Sequence, residues 1–490
     1  VLYEAATGRR PFEGDNTVSV LSSILRDEPA KISGIKTSLP GQLQRILDRC
    51  LQKDPAGRYD SAAGLRDDLA KLRDELASGI TPPAGTTTPV RGKSTRNLAL
   101  AVLAVVVVGA LGSWWWQRSA RERRVHDEAL PRLEAIVDTI QGLEEGPEAW
   151  EAYTLAREIA AVAPDDPRLA RLWPKFSRPL TITSDPAGAE VRVKYYGTPE
   201  ADWVSLGRTP LEAVLYPKGF TRLRLELPGR REVDDVVWNI GYFDEDRHHL
   251  LPAPGEIPDE MVRVPAGKSA LMMPGLDHIE GEPLHAFLID RNEVTNREFK
   301  RFVDAGGYDD ARYWQHPFVQ AGRELSFDEA QAQFVDRTGQ TGPAGWEVRD
   351  YPVGEDDLPV SGVSWYEAAA YAAWADKTLP TLFHWNRVAF TIGASQIPLQ
   401  SNFSGRGPVA VGSTAALNRF GARDLGGNVR EWVYNGSDRA GQRFILGGGW
   451  DDPPYAFTDA YTQDGFDRSA TNGFRCMRAL EPEDDLDALA

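Results

Sequence analysis

Hydrophobic positions follow different rhythms along the 490 residues. In LPGQLQRILDRCLQKDPAGRYDSAAGLRDDLAKL they recur every three or four positions, and Leu43, Ile46, Leu47 and Leu51 fall on one face of a predicted helix. Asp54-Pro55 breaks that helix, and Asp60 or Ser61 can cap another. The result is a small all-helical piece, too short to bury much core by itself. Leu98 to Trp116, LALAVLAVVVVGALGSWWW, then carries no charge over 19 residues. As a helix it is about 28 Å long, close to the hydrocarbon thickness of a bilayer. Arg96 and Arg118 flank it, and Trp114, Trp115 and Trp116 suit an interfacial belt. The competing reading is a buried core helix.

The helical rhythm resumes over residues 119–176, with breaks at Gly146-Pro147 and Pro164-Asp165. It predicts a helical stalk, or a single helical hairpin. From Leu180 the period falls to two. LTITSDPAGAEVRVKYY and SLGRTPLEAVLYPKGFTRLRLEL predict strands joined by turns. Further on, SWYEAAAYAAWADK predicts an amphipathic helix with Ala-rich close packing. Gly447, Gly448 and Gly449 let backbone come close where a side chain would clash.

Length predicts about three domains. The net charge of −17 argues against nucleic acid as a partner. Cys50 and Cys476 cannot make a disulfide framework. Residue 1 is Val and no signal sequence follows, so a fragment is expected. Arg91, Lys93 and Arg96 precede the apolar run, while Arg118, Arg121, Arg123 and Arg124 follow it. Charge alone therefore does not orient it. His248 and His249 are adjacent, poorly placed for one metal, and are expected to be solvated or capping residues.

VLYE…TGRRPFEG followed by L…CLQKDPAGRY resembles the end of a bacterial serine/threonine protein kinase C-lobe, over about residues 1–76. The resemblance implies that the phosphate-binding and catalytic residues would lie before residue 1. ATP and Mg²⁺ would then be bound only by a longer parent. It also implies that Arg58 has lost its usual glutamate and is a stranded charge, and that residues 1–97 are cytoplasmic. SDPAGAEV and LGRTPL resemble the PEGA module, a small β-sandwich with a binding or spacer role.

EMVRVPAG, EGEPLHAFLIDRNEVTNREFKRFV, PVSGVSWYEAAAYAAWADKTLPT, LNRFGARDLGGNVREW, LGGGW and NGFRC follow in order. Together they resemble the formylglycine-generating-enzyme, or sulfatase-modifying-factor, family. The implied fold is C-type-lectin-like, mixed α/β with much irregular chain. The family enzyme holds copper on two cysteines, whose positions are occupied here by Asp452 and Phe457. Carboxylate is a poor ligand for Cu(I). The cysteine matching Cys476 is commonly bonded to one at the position of Ala372, so Cys476 lacks that partner and is expected to behave as a small buried hydrophobe. The resemblance also implies one Ca²⁺ site, with Asp424 and Glu431 as side-chain ligands and Gly427 and Val429 giving backbone carbonyls. The bland alternative is that Glu431 caps or pairs locally. A second family calcium site is discounted, because the loop after SNFSG is shortened to RGPVAVG.

Related sulfoxide synthases use iron on a His-x-x-x-His motif, which does not occur here; His278, His285, His316 and His384 are scattered. Asp451, Asp452, Asp459, Asp464 and Asp467 form either a solvated loop or a site for a cation. A ligand pocket is expected around Trp450, Asp452, Phe457 and Arg475.

The expected architecture is multidomain. It comprises an all-α kinase C-lobe remnant (1–77), a flexible linker (78–97), one transmembrane helix (98–116) and a helical stalk (117–178). A PEGA-like β-sandwich (179–250) and an α+β sulfatase-modifying-factor-like domain (256–481) follow. The expected function is that of a fragment of a receptor-type kinase in a bacterial membrane, with its N-terminus cytoplasmic and its C-terminal domains periplasmic or extracellular. Its last domain is read as a catalytically dead sensor for an extracytoplasmic ligand. The alternatives are an oxidase or non-haem iron enzyme, and a structural envelope protein.

Overall fold

The computed structural model describes residues 2–12, 23, 26, 29–35, 40–52, 57–59, 61–78, 115–140, 146–239, 247–391, 394–481 and 489. The chain divides into two compact units, Val1–Val105 and Val106–Ala490.

In the first unit, helices Leu2–Thr7, Ile32–Ile35, Gly41–Cys50 and Ala62–Ser78 are described. The predicted apolar face is the one buried. Leu47 joins Tyr3 and Ile32 in the core, with Leu43 and Leu51 packed against it. The Ser61 hydroxyl accepts from the Gly64 amide at 3.4 Å, a cap for the last helix. Asp54-Pro55 lies outside the described residues. Arg58 is not a stranded charge. It is exposed, and its Nε donates to the Gln52 carbonyl at 2.7 Å, so water and a carbonyl solvate it.

Of the uncharged run, Leu98 to Trp114 lies outside the described residues, as does the linker over 79–97. Among the described residues no helix is long and apolar enough to cross a membrane.

The second unit begins with helices that share one core. Leu130–Thr139, Pro147–Ala160 and Pro167–Phe176 bury Leu133, Tyr153, Ile159, Leu169 and Phe176 against each other. Pro147 and Pro167 each open a helix, where a missing N–H costs nothing. The Tyr153 hydroxyl donates to the Leu215 carbonyl at 2.9 Å, tying these helices to the strands that follow.

Those strands form two sheets. One runs Leu211–Pro217, Ser177–Asp185, Arg247–Leu250; the other runs Val204–Arg208, Glu190–Tyr195, Phe220–Glu226, Val233–Trp238. The period-two pattern sends Leu180 and Ile182 from one sheet, and Val191, Val193, Leu223 and Leu225 from the other, into a common core. His248 is exposed, but His249 departs from the expectation of a solvated or capping residue. Its side chain is only 10% exposed and lies 3.6 Å from Asp235. Alternation along Arg247–Leu250 turns it inward, and burial lowers its pKa.

The rest of the chain is mostly irregular, built around short strands. Phe287–Asp290 pairs with Met261–Val264 on one side and Met477–Ala479 on the other. A four-stranded sheet has the order Tyr461–Asp464, Gln442–Leu446, Arg430–Gly436, Asn472–Gly473. Helix Trp365–Trp374 starts with a capping box between Ser364 and Glu367. Aromatic side chains fill much of the space around it, among them Phe299, Phe302, Trp346, Trp365 and Trp432. The glycine run is needed sterically. A Cβ on Gly447 would lie 2.8 Å from the Leu425 carbonyl, and one on Gly448 2.9 Å from the Ala456 Cβ.

A strap joins the small β domain to this last domain. The Tyr196 hydroxyl donates to the Leu417 carbonyl at 2.8 Å and accepts from the Leu417 amide at 3.0 Å. Arg222 donates to the Ala415 carbonyl at 2.6 Å. The same strap reaches the site described next.

Candidate functional site

The segment DLGGNVREW turns sharply before it becomes strand Arg430–Gly436. Asp424, Gly427 and Asn428 have φ of 53°, 70° and 58°. Only Gly tolerates this region freely; Asp and Asn enter it at modest cost. The turn places Asp424 and Glu431 in the interior, 1% and 0% exposed, beside Glu293 at 2%. Asp424 accepts the Thr414 hydroxyl at 2.5 Å and the Gly412 amide, both on the strap. Glu293 accepts from the Asn428 amide side chain at 3.0 Å and the Val429 N–H at 3.2 Å.

Glu431 is paired. Arg475 reaches it with two bonds, 2.8 Å and 2.6 Å, and the Trp385 indole donates to it at 2.7 Å. Arg475 Nη1 donates to the carbonyls of Asp290 and Arg291, and Nη2 also to that of Arg423. Burial works against the Arg475 charge, but Glu431, Glu293 and Asp424 outweigh it and raise its pKa. Burial first, then Asp424 and Glu431, push Glu293 well above the usual carboxylate range. Burial likewise raises Asp424. Three buried carboxylates thus face one guanidinium.

This charge imbalance bears on the expected Ca²⁺. Asp424 and Glu431 sit in one turn with Gly427 and Val429, and three carboxylates outnumber the one guanidinium, so the residues suit a cation in type and in charge, but their oxygens are already taken, those of Glu431 by Arg475 and Trp385 and those of Asp424 by Thr414 and Gly412. They do not form a preformed cage. Among the described residues no group of three His, Cys, Asp or Glu side chains converges on a metal position.

Of the two positions at which the family resemblance implies cysteines, Asp452 meets the other face of the same strand, while Phe457 packs on the Glu431 side beside Trp385. Arg430 grips Asp452 with two bonds, 2.7 Å and 2.6 Å. Burial alone would raise the Asp452 pKa, but Arg430 and the Gly449 amide bring it below the usual value. Phe457 is 2% exposed in a core with Trp385 and Phe390. Trp450 leaves its indole N–H buried without a partner. The four residues expected to line a pocket do not share an open surface: Phe457 and Arg475 are sealed in the interior, and Asp452 is spent on Arg430. The acidic run is dispersed. Asp464 and Asp467 accept from nearby backbone N–H groups, and Asp459 pairs with Tyr461.

Cys476 is a buried free thiol beside Ala372 in the aromatic core. Burial, then the neighbouring Asp290 carboxylate, push its pKa well up. Asp290 itself is raised to about 6 by burial, against the pull of Lys377 at 2.7 Å. His384 is buried, bonded to Thr381 at 2.7 Å, and lowered to about 4 by burial. His285 lies 3.1 Å from Glu481 at the surface. Sequence reasoning missed Glu293, which lies 135 residues from its partner Asn428 and carries no local signal.

Residues 248–480 match the sulfatase-modifying factor enzyme 1-like domain. The chain is 30% identical over 224 residues to a formylglycine-generating enzyme of Thermomonospora curvata, covering 37% of this chain and 72% of that one. It is 34% identical over 163 residues to a hercynine oxygenase of Mycolicibacterium smegmatis, covering 30% and 37%. It is 27% identical over 205 residues to the serine/threonine-protein kinase pkn1 of Chlamydia caviae, covering 39% and 30%. The chain thus spans about a third of the length of the last two relatives.

Proposed function

Because the chain belongs to the sulfatase-modifying-factor family through residues 248–480, we propose that its last domain keeps the family scaffold as a binding module without the oxidase chemistry. One observation carries this reading. The two cysteine positions hold Asp452, neutralised by Arg430, and Phe457, packed in the core. The domain's remaining thiol, Cys476, is buried, and its pKa lies well above the usual range. A protonated, inaccessible thiol is a poor nucleophile and a poor Cu(I) ligand.

Around this module we place the rest of the chain as a receptor-type kinase fragment in a bacterial membrane. Kinship with a kinase supports it, as does the uncharged run from Leu98 to Trp116. The small β domain serves as a PEGA-like spacer. ATP, Mg²⁺ and substrate hydroxyls belong to the parent. One Ca²⁺ is held by Asp424 and Glu431 with the Gly427 and Val429 carbonyls, and it supplies charge neutralisation at the turn.

The experiment is a Cu(I) competition titration of the chain against a chromogenic chelator. The reading predicts no stoichiometric transfer of copper to the protein. One copper retained per chain, lost on Cys476→Ala, would overturn it.

A further inference from the structure

The seam between the small β domain and the last domain gathers guanidinium groups without matching carboxylates. Arg222 and Arg231 come from one side, Arg291 and Arg423 from the other. Among the described residues none of the four lies within ion-pair distance of an acid. Arg222 donates to the Tyr196 and Ala415 carbonyls, Arg231 to those of Pro258 and Asp259, and Arg423 to that of Thr414. Asp234 is on the same seam, but Arg224 takes both its oxygens, at 2.7 Å and 3.1 Å.

Arg291 stands out. Its backbone is fixed on both sides: its N–H donates to the Glu260 carbonyl at 2.7 Å, and its carbonyl accepts from the Arg423 amide at 2.8 Å. Its side chain has no hydrogen-bond acceptor, and its Nε is buried and unpaired. Burying part of a cation with no acceptor is unfavourable unless something compensates it. Burial first, then Arg231, lower its pKa against the pull of Asp234 and Glu232.

We infer that this seam holds a small tetrahedral oxyanion, phosphate or sulfate, with Arg291 as its anchor and Arg231 and Arg423 closing it from the two domains. A planar fork of N–H donors suits tetrahedral oxygens. The ligand would bridge the domains, because Arg231 and Arg291 belong to different ones. Arg423 also donates to the Thr414 carbonyl of the strap, so the bound anion would bear on the strap as well.

The test melts the full chain in sodium phosphate, sodium sulfate and sodium chloride at matched ionic strength. Both oxyanions stabilise many proteins by exclusion from their surfaces, so saturation and loss in a variant are the readouts. The wild type should rise in melting temperature to a plateau with phosphate. Arg291→Gln should shift the midpoint by about tenfold or more. In chloride, Arg291→Gln should melt at or above the wild type, because it removes an unpaired charge; in phosphate the order should reverse. The same midpoint with glycerol 2-phosphate would make a phosphate ester an equal source, and a response to inorganic phosphate alone would make it the free ion. A non-saturating rise, equal in wild type and Arg291→Gln, would overturn the site. So would Arg291→Gln melting lower by the same amount in every salt.

Discussion

Two adjacent residues on one strand make the same kind of ion pair and come to different ends. Glu431 points inward and meets Arg475, with both side chains 0% exposed. Arg430 points the other way and meets Asp452, at 19% and 13%. Strand alternation sets the direction, and burial sets the consequence. The inner pair is locked by Trp385 and three carbonyls, so removing one member strands the other in a low-dielectric interior. The outer pair occupies a family thiol position and is partly solvated.

The largest expected effect breaks the inner pair. Arg475→Met leaves Glu431, Glu293 and Asp424 without their cation and should cost about 3–5 kcal/mol, enough to unfold the last domain at moderate temperature. Urea denaturation followed by tryptophan fluorescence checks it.

Calcium should come next. Millimolar Ca²⁺ against chelator should raise the melting temperature by about 5 °C or more, as saturating ligand does. Glu431→Gln should lose most of that rise. The same cluster sets a pH dependence. Glu293, Asp424 and Asp290 are raised in the folded state. A carboxyl of this kind stabilises when protonated, and that stability is lost as pH rises through its folded pKa. For Asp290 the loss runs from the ordinary carboxylate range up to about 6, where it is complete. The metal-free melting temperature should therefore fall between about pH 4 and 6. Calcium should flatten the part due to Glu293 and Asp424, and Asp290→Asn should remove the rest.

Tyr196→Phe sharpens the comparison from outside the site. It leaves the Leu417 amide and carbonyl without partners and should cost about 1–3 kcal/mol. Hydrogen exchange should speed up over residues 412–417 while helix Trp365–Trp374 stays protected. The smallest effect belongs to the outer pair: Asp452→Asn should cost about 1 kcal/mol or less, because both side chains keep contact with water. Thermal denaturation at two salt concentrations checks it.

Local signals were legible in the sequence. The face of Leu43 and Leu47, the period-two strands from Leu180 and the close approach at Gly447 all depend on neighbours in the chain. What closes the site was not legible. Arg475 lies 44 residues from Glu431, Tyr196 lies 221 from Leu417, and Glu293 lies 135 from Asn428. No local pattern encodes such pairs. The expected pocket failed for the same reason: Phe457 and Arg475 are polar-site candidates by position, but packing from distant segments covers both. His249 was misjudged because two adjacent residues of a strand face opposite ways, and the side that is buried depends on the partner sheet.

The most direct measurement mixes the chain with copper, offers it a cysteine-containing sulfatase-motif peptide under oxygen and follows the peptide by mass spectrometry. The account predicts an aldehyde yield no greater than that of copper alone. Conversion of the cysteine to formylglycine above that blank, abolished in Cys476→Ala, would contradict it.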